Sequence, residues 1–359
     1  QNGKTISWPT DSTFKTDGKY IITIKDKAGN SATFTFTIDK TKPKIVAKSP
    51  TGTTYTNGQY VKTDAKVTYS DTNYSSRSVT QNGKTISWPT DSTFKTDGKY
   101  IITIKDKAGN SATFTFTIDK TKPKIVAKSP TGTTYKNGQY VKTDTVVTYS
   151  DTNYSSRSVT QNGKAISWPT DSTFKTNGKY IITVKDKAGN SATFTFTIDK
   201  TKPKITVKSP TGTTYKNGRH VKTDTKVTYS DANYSSRSVT KNGKAISWPT
   251  DSTFKTNGKY IITIKDKAGN SATFTFTIDK TKPKISVKTT KGVTIKNGRT
   301  SKQYIKATYS DVNYSSRSVT RNGKNYTWPS KSTFKTKGTY IITIKDKAGN
   351  TSKYKFIRK

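Results

Sequence analysis

An 80-residue repeat runs through the 359-residue chain and constrains its fold more than any other feature. Residues 1–55 recur without a change at 81–135, and related copies begin at 161, 241 and 321. A unit of this length is too long for one coil of a solenoid and about the size of a small β-sandwich domain. The sequence therefore predicts a tandem array of small domains.

The polar segment Asp119–Pro123 ends in a proline and predicts a linker between two of these domains. Cutting at each copy of this segment gives complete domains at 41–120, 121–200, 201–280 and 281–359, with residues 1–40 as the C-terminal half of a truncated domain. Because the linkers are short, we expect a monomeric rod whose domains unfold nearly independently.

Composition and residue alternation both favour β structure. The chain contains no Glu and no Leu and is rich in Thr, Ile, Val, Tyr and Phe, which are strand formers. In Ser111–Asp119, the apolar Phe114, Phe116 and Ile118 alternate with threonines. The pattern predicts an all-β fold of tandem antiparallel β-sandwiches, immunoglobulin-like, with about seven strands in each 80-residue unit.

The predicted core of domain 41–120 follows from the same alternation. Tyr100, Ile102 and Ile104 share one face of the strand that precedes Ser111, and Asp106–Asn110 predicts a tight hairpin. We expect five side chains of this domain to be largely buried, namely Trp88, Tyr100, Phe114, Phe116 and Ile118.

The stretch Gly98–Asn110, followed by Phe114–Pro123, resembles bacterial immunoglobulin-like domains. Such domains occur in tandem in surface and secreted proteins of Gram-positive bacteria, and the resemblance covers the whole chain repeat by repeat. It implies an extracellular location, at the cell wall or the cell surface. The family has no single activity, so the resemblance implies fold and location rather than function.

The inventory of reactive side chains favours a non-enzymatic protein with no catalytic residue. The one histidine, His220, is replaced by Tyr60, Tyr140 and Thr300 in other copies, and the chain contains no Cys and no Glu. No apolar run approaches the roughly 18–20 residues of a membrane span, so we expect no membrane insertion. Because the chain begins at Gln1 rather than Met, we expect it to derive from a longer product.

Oxygen ligands for a metal are present in each repeat. Asp71, Asn73, Asp106, Asn110 and Asp119 are hard ligands of the kind that calcium prefers, but their spacing matches no calcium loop. The same residue types also shape turns. The sequence therefore predicts no resident cofactor, with calcium as the alternative.

The segment Tyr69–Val79 combines tyrosines, an arginine and several hydroxyl groups. Aromatic and polar side chains together can bind glycans, which makes host glycans a candidate partner. The alternative is that Tyr69 belongs to the core and Arg77 covers it.

Positive charge is the strongest functional signal. The net charge is +43, and domain 281–359 alone carries 20 basic residues against two acids. A basic surface of this size is typical of proteins that bind polyanions. The predicted polyanion-binding residues are Lys291, Lys296, Arg299, Lys302, Arg321, Lys324, Lys331, Lys335, Lys337, Lys353, Lys355, Arg358 and Lys359.

Together these features predict a non-enzymatic cell-surface stalk, or spacer, and adhesin. Its basic C-terminal domain would hold it on a bacterial wall through anionic polymers such as teichoic acid. One alternative is a polyanion-binding module for extracellular DNA or glycosaminoglycan, and another is the repeat region of a larger secreted hydrolase or toxin.

Overall fold

The computed structural model describes all residues from Gln1 to Lys359, and its regular structure consists of strands. It contains no helix long and apolar enough to cross a membrane. The chain divides into two compact units, residues 1–138 with 144–196 and residues 139–143 with 197–359. The domain boundaries proposed above, at each copy of the linker segment, stay a prediction.

Strands recur at the same positions in successive repeats. Residues 1–40 contain β1 (Gly18–Lys25) and β2 (Ser31–Ile38). Residues 41–120 contain β3 (Lys44–Lys48), β4 (Gln59–Val61), β5 (Ala65–Ser70), β6 (Tyr74–Gln81), β7 (Lys84–Thr85), β8 (Thr93–Phe94), β9 (Gly98–Asp106) and β10 (Ser111–Ile118). Residues 121–200 contain β11 (Lys124–Lys128), β12 (Gln139–Val141), β13 (Thr145–Ser150), β14 (Tyr154–Gln161), β15 (Lys164–Ala165), β16 (Thr173–Phe174), β17 (Gly178–Asp186) and β18 (Ser191–Ile198).

The second half of the chain continues the series. Residues 201–280 contain β19 (Lys204–Lys208), β20 (Arg219–Val221), β21 (Thr225–Ser230), β22 (Tyr234–Lys241), β23 (Lys244–Ala245), β24 (Thr253–Phe254), β25 (Gly258–Asp266) and β26 (Ser271–Ile278). Residues 281–359 contain β27 (Lys284–Thr289), β28 (Thr300–Ser301), β29 (Ile305–Ser310), β30 (Tyr314–Arg321), β31 (Lys324–Asn325), β32 (Thr333–Phe334), β33 (Gly338–Asp346) and β34 (Thr351–Arg358).

Two sheets form the sandwich of residues 41–120. One has the strand order β3-β5-β8 and the other β4-β10-β9-β6-β7. The pairs are antiparallel except for β4 and β10, which run parallel. The chain passes between the sheets in the manner of an immunoglobulin-like (Ig-like) domain, and the same two sheets recur in residues 201–280 and 281–359. The all-β, tandem Ig-like fold predicted from the sequence is confirmed, with eight strands per repeat rather than about seven.

Aromatic side chains fill the core between the two sheets. Tyr100, Phe116 and Ile118 are each 1% exposed, as the alternation predicts. The rings of Tyr100 and Phe116 stack at 5.1 Å, and Phe94 meets both edge-on. Each fully buried side chain of this kind contributes on the order of 1.5–3 kcal/mol to folding.

Trp88 and Phe114, which the sequence predicts to be largely buried, are half-buried and pack against the edge of the core. Trp88 follows β7 in a loop rather than a strand, so it covers the rim of the core against Tyr69 and Phe94. Its indole Nε1 donates to Ser92 Oγ at 3.0 Å, which keeps the polar edge of the ring outside the core.

Tight turns position the ends of the strands. Asn82 and Gly83, between β6 and β7, have φ values of 49° and 81°, as a two-residue hairpin turn requires. At the start of β9, Gly98 has φ of 149°, and a Cβ there would lie 2.9–3.0 Å from side-chain atoms of Gln81 and Asn82. A side chain at position 98 would be strained by the positive φ and would require Gln81 and Asn82 to move.

Candidate metal centre

Three aspartates meet where one repeat ends and the next begins, and this arrangement occurs four times. In each group the carboxylate oxygens lie within 4.8 Å of one another. The four groups, called the Asp triads below, are Asp39 with Asp71 and Asp106, Asp119 with Asp151 and Asp186, Asp199 with Asp231 and Asp266, and Asp279 with Asp311 and Asp346.

Three different elements supply each Asp triad. Asp279 directly follows β26, the last strand of its repeat, and its N–H donates to Val221 O at 2.8 Å. Asp311 follows β29 of the next repeat, and Asp346 ends β33. The triad thus joins the last residue of one sandwich to two strand ends of the next.

Neutral N–H groups hold the carboxylates in place. Asp279 accepts from Asn313 Nδ2 at 2.6 Å, and Asp311 accepts from the Asn313 N–H at 2.7 Å. Asp346 accepts from both the N–H and the side-chain Nδ2 of Asn350, at 2.8 and 2.6 Å. Asn350 Nδ2 also donates to Asp279 O at 2.7 Å, so the amide links the two repeats.

The carboxylates of this triad are largely shielded from solvent. Asp279 and Asp346 are 6% and 3% exposed. Burial raises the pKa of Asp311, and the neighbouring carboxylates of Asp279 and Asp346 raise it further. The pKa of Asp151 is raised in the same way, by burial first and then by Asp186 and Asp119.

No lysine or arginine forms an ion pair with any carboxylate of the four triads, although the chain carries 65 such residues. Aspartates elsewhere do pair, as Asp64 does with Lys120 at 2.6 Å and Asp91 with Lys95 at 3.2 Å. Two like charges about 5 Å apart repel by on the order of 3 kcal/mol at an effective dielectric constant near 20. A bound cation would offset this repulsion, in addition to the neutral N–H donors described above.

The donor set fits a hard divalent cation. Three carboxylates at strand ends can supply most of the six to eight oxygens that calcium takes. The carboxylates lack the sulfur and imidazole partners that zinc and copper prefer. Calcium, the alternative raised by the sequence, thus has a defined set of ligands at each junction.

Sequence reasoning named several of the right residues but grouped them wrongly. Asp71 and Asp106 do come together, but their third partner is Asp39 of the preceding repeat, while Asp119 belongs to the next triad. Asn73 and Asn110 donate through Nδ2 to the carboxylates of Asp39 and Asp106. The available signal was that Asp119 is the first residue of the linker segment and so lies next to the following repeat.

The segment Tyr69–Val79 forms a compact aromatic cluster. The Arg77 guanidinium lies 4.7 Å from the centroid of the Trp88 ring and donates to Tyr69 Oη at 3.2 Å. The Tyr69 and Tyr74 rings stack at 5.2 Å. This geometry agrees with the alternative in which Tyr69 packs on the core and Arg77 covers it.

His220 lies half-buried in β20, in the place that Tyr140 occupies in the preceding repeat. The Lys267 ammonium lies 5.3 Å from the centroid of the Tyr140 ring. His220 Nδ1 is buried without a partner, and burial, followed by the charge of Lys347, lowers the pKa of this histidine. The charge of a protonated His220 would oppose that of Lys347, so the neutral form is favoured here.

The predicted polyanion-binding residues of repeat 281–359 divide into two groups. Lys353 and Lys355 lie along the outer face of β34, where they pair across the sheet with Thr343 and Ile341. Lys296 precedes the turn that leads to Arg299. Lys291 and Lys331 lie in turns elsewhere in the repeat, whereas Lys324, in β31, pairs across the sheet with Arg321.

The second group gathers where β33 begins and β34 ends. Arg358 pairs with Gly338 in one neighbouring strand and with Ser301 in the other. Arg321 ends β30, and its Nε donates to Lys337 O at 2.9 Å. Lys302, Lys335 and Lys359 adjoin these strand ends. The structure thus brings together a subset of the predicted residues.

Comparisons with known proteins found similarity to solved structures alone. No family model and no curated protein matches the chain. Among solved structures, it is similar to the N-terminal eight Ig domains of Down syndrome cell adhesion molecule, at 12% identity over 96% of this chain and 51% of that one, with a TM-score of 0.25.

Two further solved structures are similar to the chain. Extracellular domains 3–5 of Drosophila OTK match at 12% identity over 65% of this chain and 96% of that one, with a TM-score of 0.28. The insect immune protein hemolin matches at 13% identity over 88% and 99%, with a TM-score of 0.24. Values this low transfer no ligand or activity, and the Ig-like assignment rests on the strand order described above.

Proposed function

We propose that this protein is a non-enzymatic extracellular spacer whose Ig-like domains are joined by calcium-binding junctions. The observation that carries the proposal is the Asp triad, which recurs four times with ligands from both sides of a junction and with no cationic side chain paired to it. A divalent cation there would hold the end of one domain against the next.

Direct contacts already connect the domains at such a junction. Asn350 Nδ2, in repeat 281–359, donates to the backbone oxygen of Asp279, in the preceding repeat, at 2.7 Å. Lys222 Nζ reaches Gly349 O, at 3.5 Å, from the preceding repeat. These bonds orient the carboxylates before a cation binds, so that binding costs little conformational entropy.

The cation count tests this proposal. We expect calorimetric titration of the chelator-treated chain with calcium to show four sites, one for each Asp triad, and three for Asp279→Asn. Asp251→Asn is the matched control because Asp251 is exposed and pairs with Lys255 at 3.2 Å. A full set of sites in Asp279→Asn, or an equal loss in the control, would contradict the assignment.

A second function, attachment to anionic polymers, is favoured by the charge of repeat 281–359. This repeat carries 20 of the basic residues and two acids, and both acids, Asp311 and Asp346, belong to its Asp triad. We infer that it holds the protein on an anionic surface. The proposed setting is a bacterial cell wall with teichoic acid; host glycans, glycosaminoglycan and extracellular DNA are the other polyanions to compare.

Salt dependence tests the attachment. Binding of the chain to purified bacterial walls should fall steeply with ionic strength and be released near about 0.5 M salt, where the Debye length is only a few ångströms. A chain that ends at residue 280 should bind far more weakly at low salt, provided that its melting matches that of the same repeats in the full chain. Binding that is indifferent to salt or to this truncation would leave the spacer role alone.

A further inference from the structure

Repeat 281–359 ends in a surface whose chemistry is the reverse of that in the preceding repeat. In repeat 201–280, Asp224 pairs with Lys280, and Asp279 enters an Asp triad. In the last repeat, Tyr304 stands at the position of Asp224, and Lys359 stands at the position of Asp279. The position of Asp97, which is Asn257 in repeat 201–280, holds Lys337. The acidic positions at this end of a repeat have therefore become aromatic or basic.

Tyr304 draws two cations together at this end. The ring is 45% exposed, with the Arg358 guanidinium carbon 5.2 Å and Lys335 Nζ 5.8 Å from its centroid. Cation–π attraction of this kind offsets part of the repulsion between the two charges. Arg358 Nε is also buried without a hydrogen-bond partner, so this guanidinium has an unsatisfied hydrogen-bond donor.

A second arginine is fixed beside them. Arg321 Nε donates to Lys337 O at 2.9 Å, and its guanidinium carbon lies 5.7 Å from the centroid of the Tyr326 ring. A Cβ at Gly338 would lie 2.9 Å from Arg321 Nε, which shows how closely the side chain lies over the start of β33. Arg321 is thus held at the surface with its terminal nitrogens free to donate.

Acidic side chains are absent from this surface. The two acids of the repeat, Asp311 and Asp346, lie at the opposite end, where β29 and β33 finish. The nine residues of β33 separate the two ends by about 27 Å at roughly 3.3 Å per residue. That distance exceeds the Debye length of about 8 Å at physiological salt, so the acids do not cancel the basic charge.

We propose that Tyr304, Arg321, Lys335, Lys337 and Arg358, the basic pole, form a binding site for an anionic polysaccharide that carries phosphate or sulfate groups. The inference rests on the proposed polyanion attachment and assigns it to one end of one repeat. The planar guanidinium groups of Arg321 and Arg358 match tetrahedral oxyanions through paired N–H donors. The two lysines add point charges for the neighbouring groups of the polymer.

The aromatic rings favour a polysaccharide over a nucleic acid. The Tyr304 ring already has two cations within 6 Å, and Arg321 lies over Tyr326. Rings engaged in this way do not provide the open stacking faces on which single-stranded bases bind. A flexible polymer with charged groups along its chain needs only the cations.

Variants that restore residues of the other repeats test the basic pole in the full chain. The pole variant combines Tyr304→Asp, Arg321→Gln and Lys337→Asn, each the residue of an earlier repeat. The control combines Lys296→Thr, Lys353→Thr and Lys355→Thr, which are also residues of earlier repeats and lower the net charge by the same three units. Binding to immobilised heparin and to inorganic polyphosphate is measured at physiological salt.

We expect the pole variant to bind both probes at least about tenfold more weakly, and the control no more than about threefold. Equal losses would overturn the basic pole in favour of diffuse charge, while failure of the wild-type chain to bind either probe would overturn the polyanion attachment itself. Tighter, pole-dependent binding of a single-stranded oligonucleotide than of either probe would overturn the choice of polysaccharide. If the triple variant melts early, Arg321→Gln alone, with the glutamine of position 81, provides the same comparison.

Discussion

A single carboxyl group, that of Asp311, links the chemistry of a junction to its stability. Its neighbours are the buried Asp279 and Asp346 and the neutral donors of Asn313. In this setting the Asp311 carboxylate destabilises the folded state when no cation is bound and stabilises it when one is bound. Without one, its charge is opposed by two others; with one, it is a ligand.

The first half of this prediction is tested by measuring the melting temperature against pH with a chelator present to remove calcium. Because the pKa of Asp311 is raised in the folded state from its ordinary 3.8, the stabilisation from this group is complete below that value and is lost as the pH rises through the raised pKa. We expect Asp311→Asn to remove part of this loss, worth a few degrees in melting temperature at neutral pH.

Added calcium should invert the order of the two proteins. The wild-type chain should then gain stability at neutral pH, and Asp311→Asn should gain less, since one ligand is missing. Asp151→Asn is the equivalent change at another junction, where the pKa is also raised. An unchanged order of melting temperatures with and without calcium would contradict a cation at the Asp triad.

Strands illustrate how far the alternation of residue types determines the fold. The faces of β9 and β10 follow the order of apolar residues and threonines, because each side chain lies either in the core or on the outer face. The burial of Trp88 cannot be predicted in this way, because Trp88 lies in a loop, where side chains do not alternate between two faces. The Asp triads cannot be predicted in this way either, since their members come from two repeats and are separated by tens of residues.

Removal of one core ring should destabilise one repeat. Phe276 is 0% exposed, stacks on Tyr260 at 5.1 Å and meets Phe254 edge-on at 5.7 Å. We expect Phe276→Ala to cost about 3–5 kcal/mol and to produce a separate, earlier transition in calorimetry. Thr275→Ala, on the opposite face of β26, is the control and should leave the trace nearly unchanged; a similar shift in both would refute the assigned core face.

At the scale of the whole molecule, positive charge is distributed unevenly over the repeats. The sequence alone indicated that the last repeat is the most basic, since charge can be counted without a structure. It did not indicate which of those residues act together, because Arg321, Tyr304 and Arg358 meet only through sheet pairing.

Unfolding of the chain should depend on calcium in its cooperativity as well as its temperature. With a chelator present we expect several overlapping transitions, because the short linkers predict small contact areas between neighbouring repeats. With calcium the unfolding transitions should shift to higher temperature and their midpoints should lie closer together, since each cation binds carboxylates of two adjacent repeats. A trace that is equally cooperative in both conditions would show that the junctions do not couple through a cation.

The junction has a further consequence for how such a chain evolves. One side of an Asp triad comes from the end of a repeat and the other from the beginning of the next, so a copied repeat carries both halves with it. Residues 1–55 and 81–135 are identical, as expected of recent duplication. Unequal recombination can therefore insert or delete whole repeats without creating a mismatched interface, and the reach of the protein can change between lineages in steps of one domain.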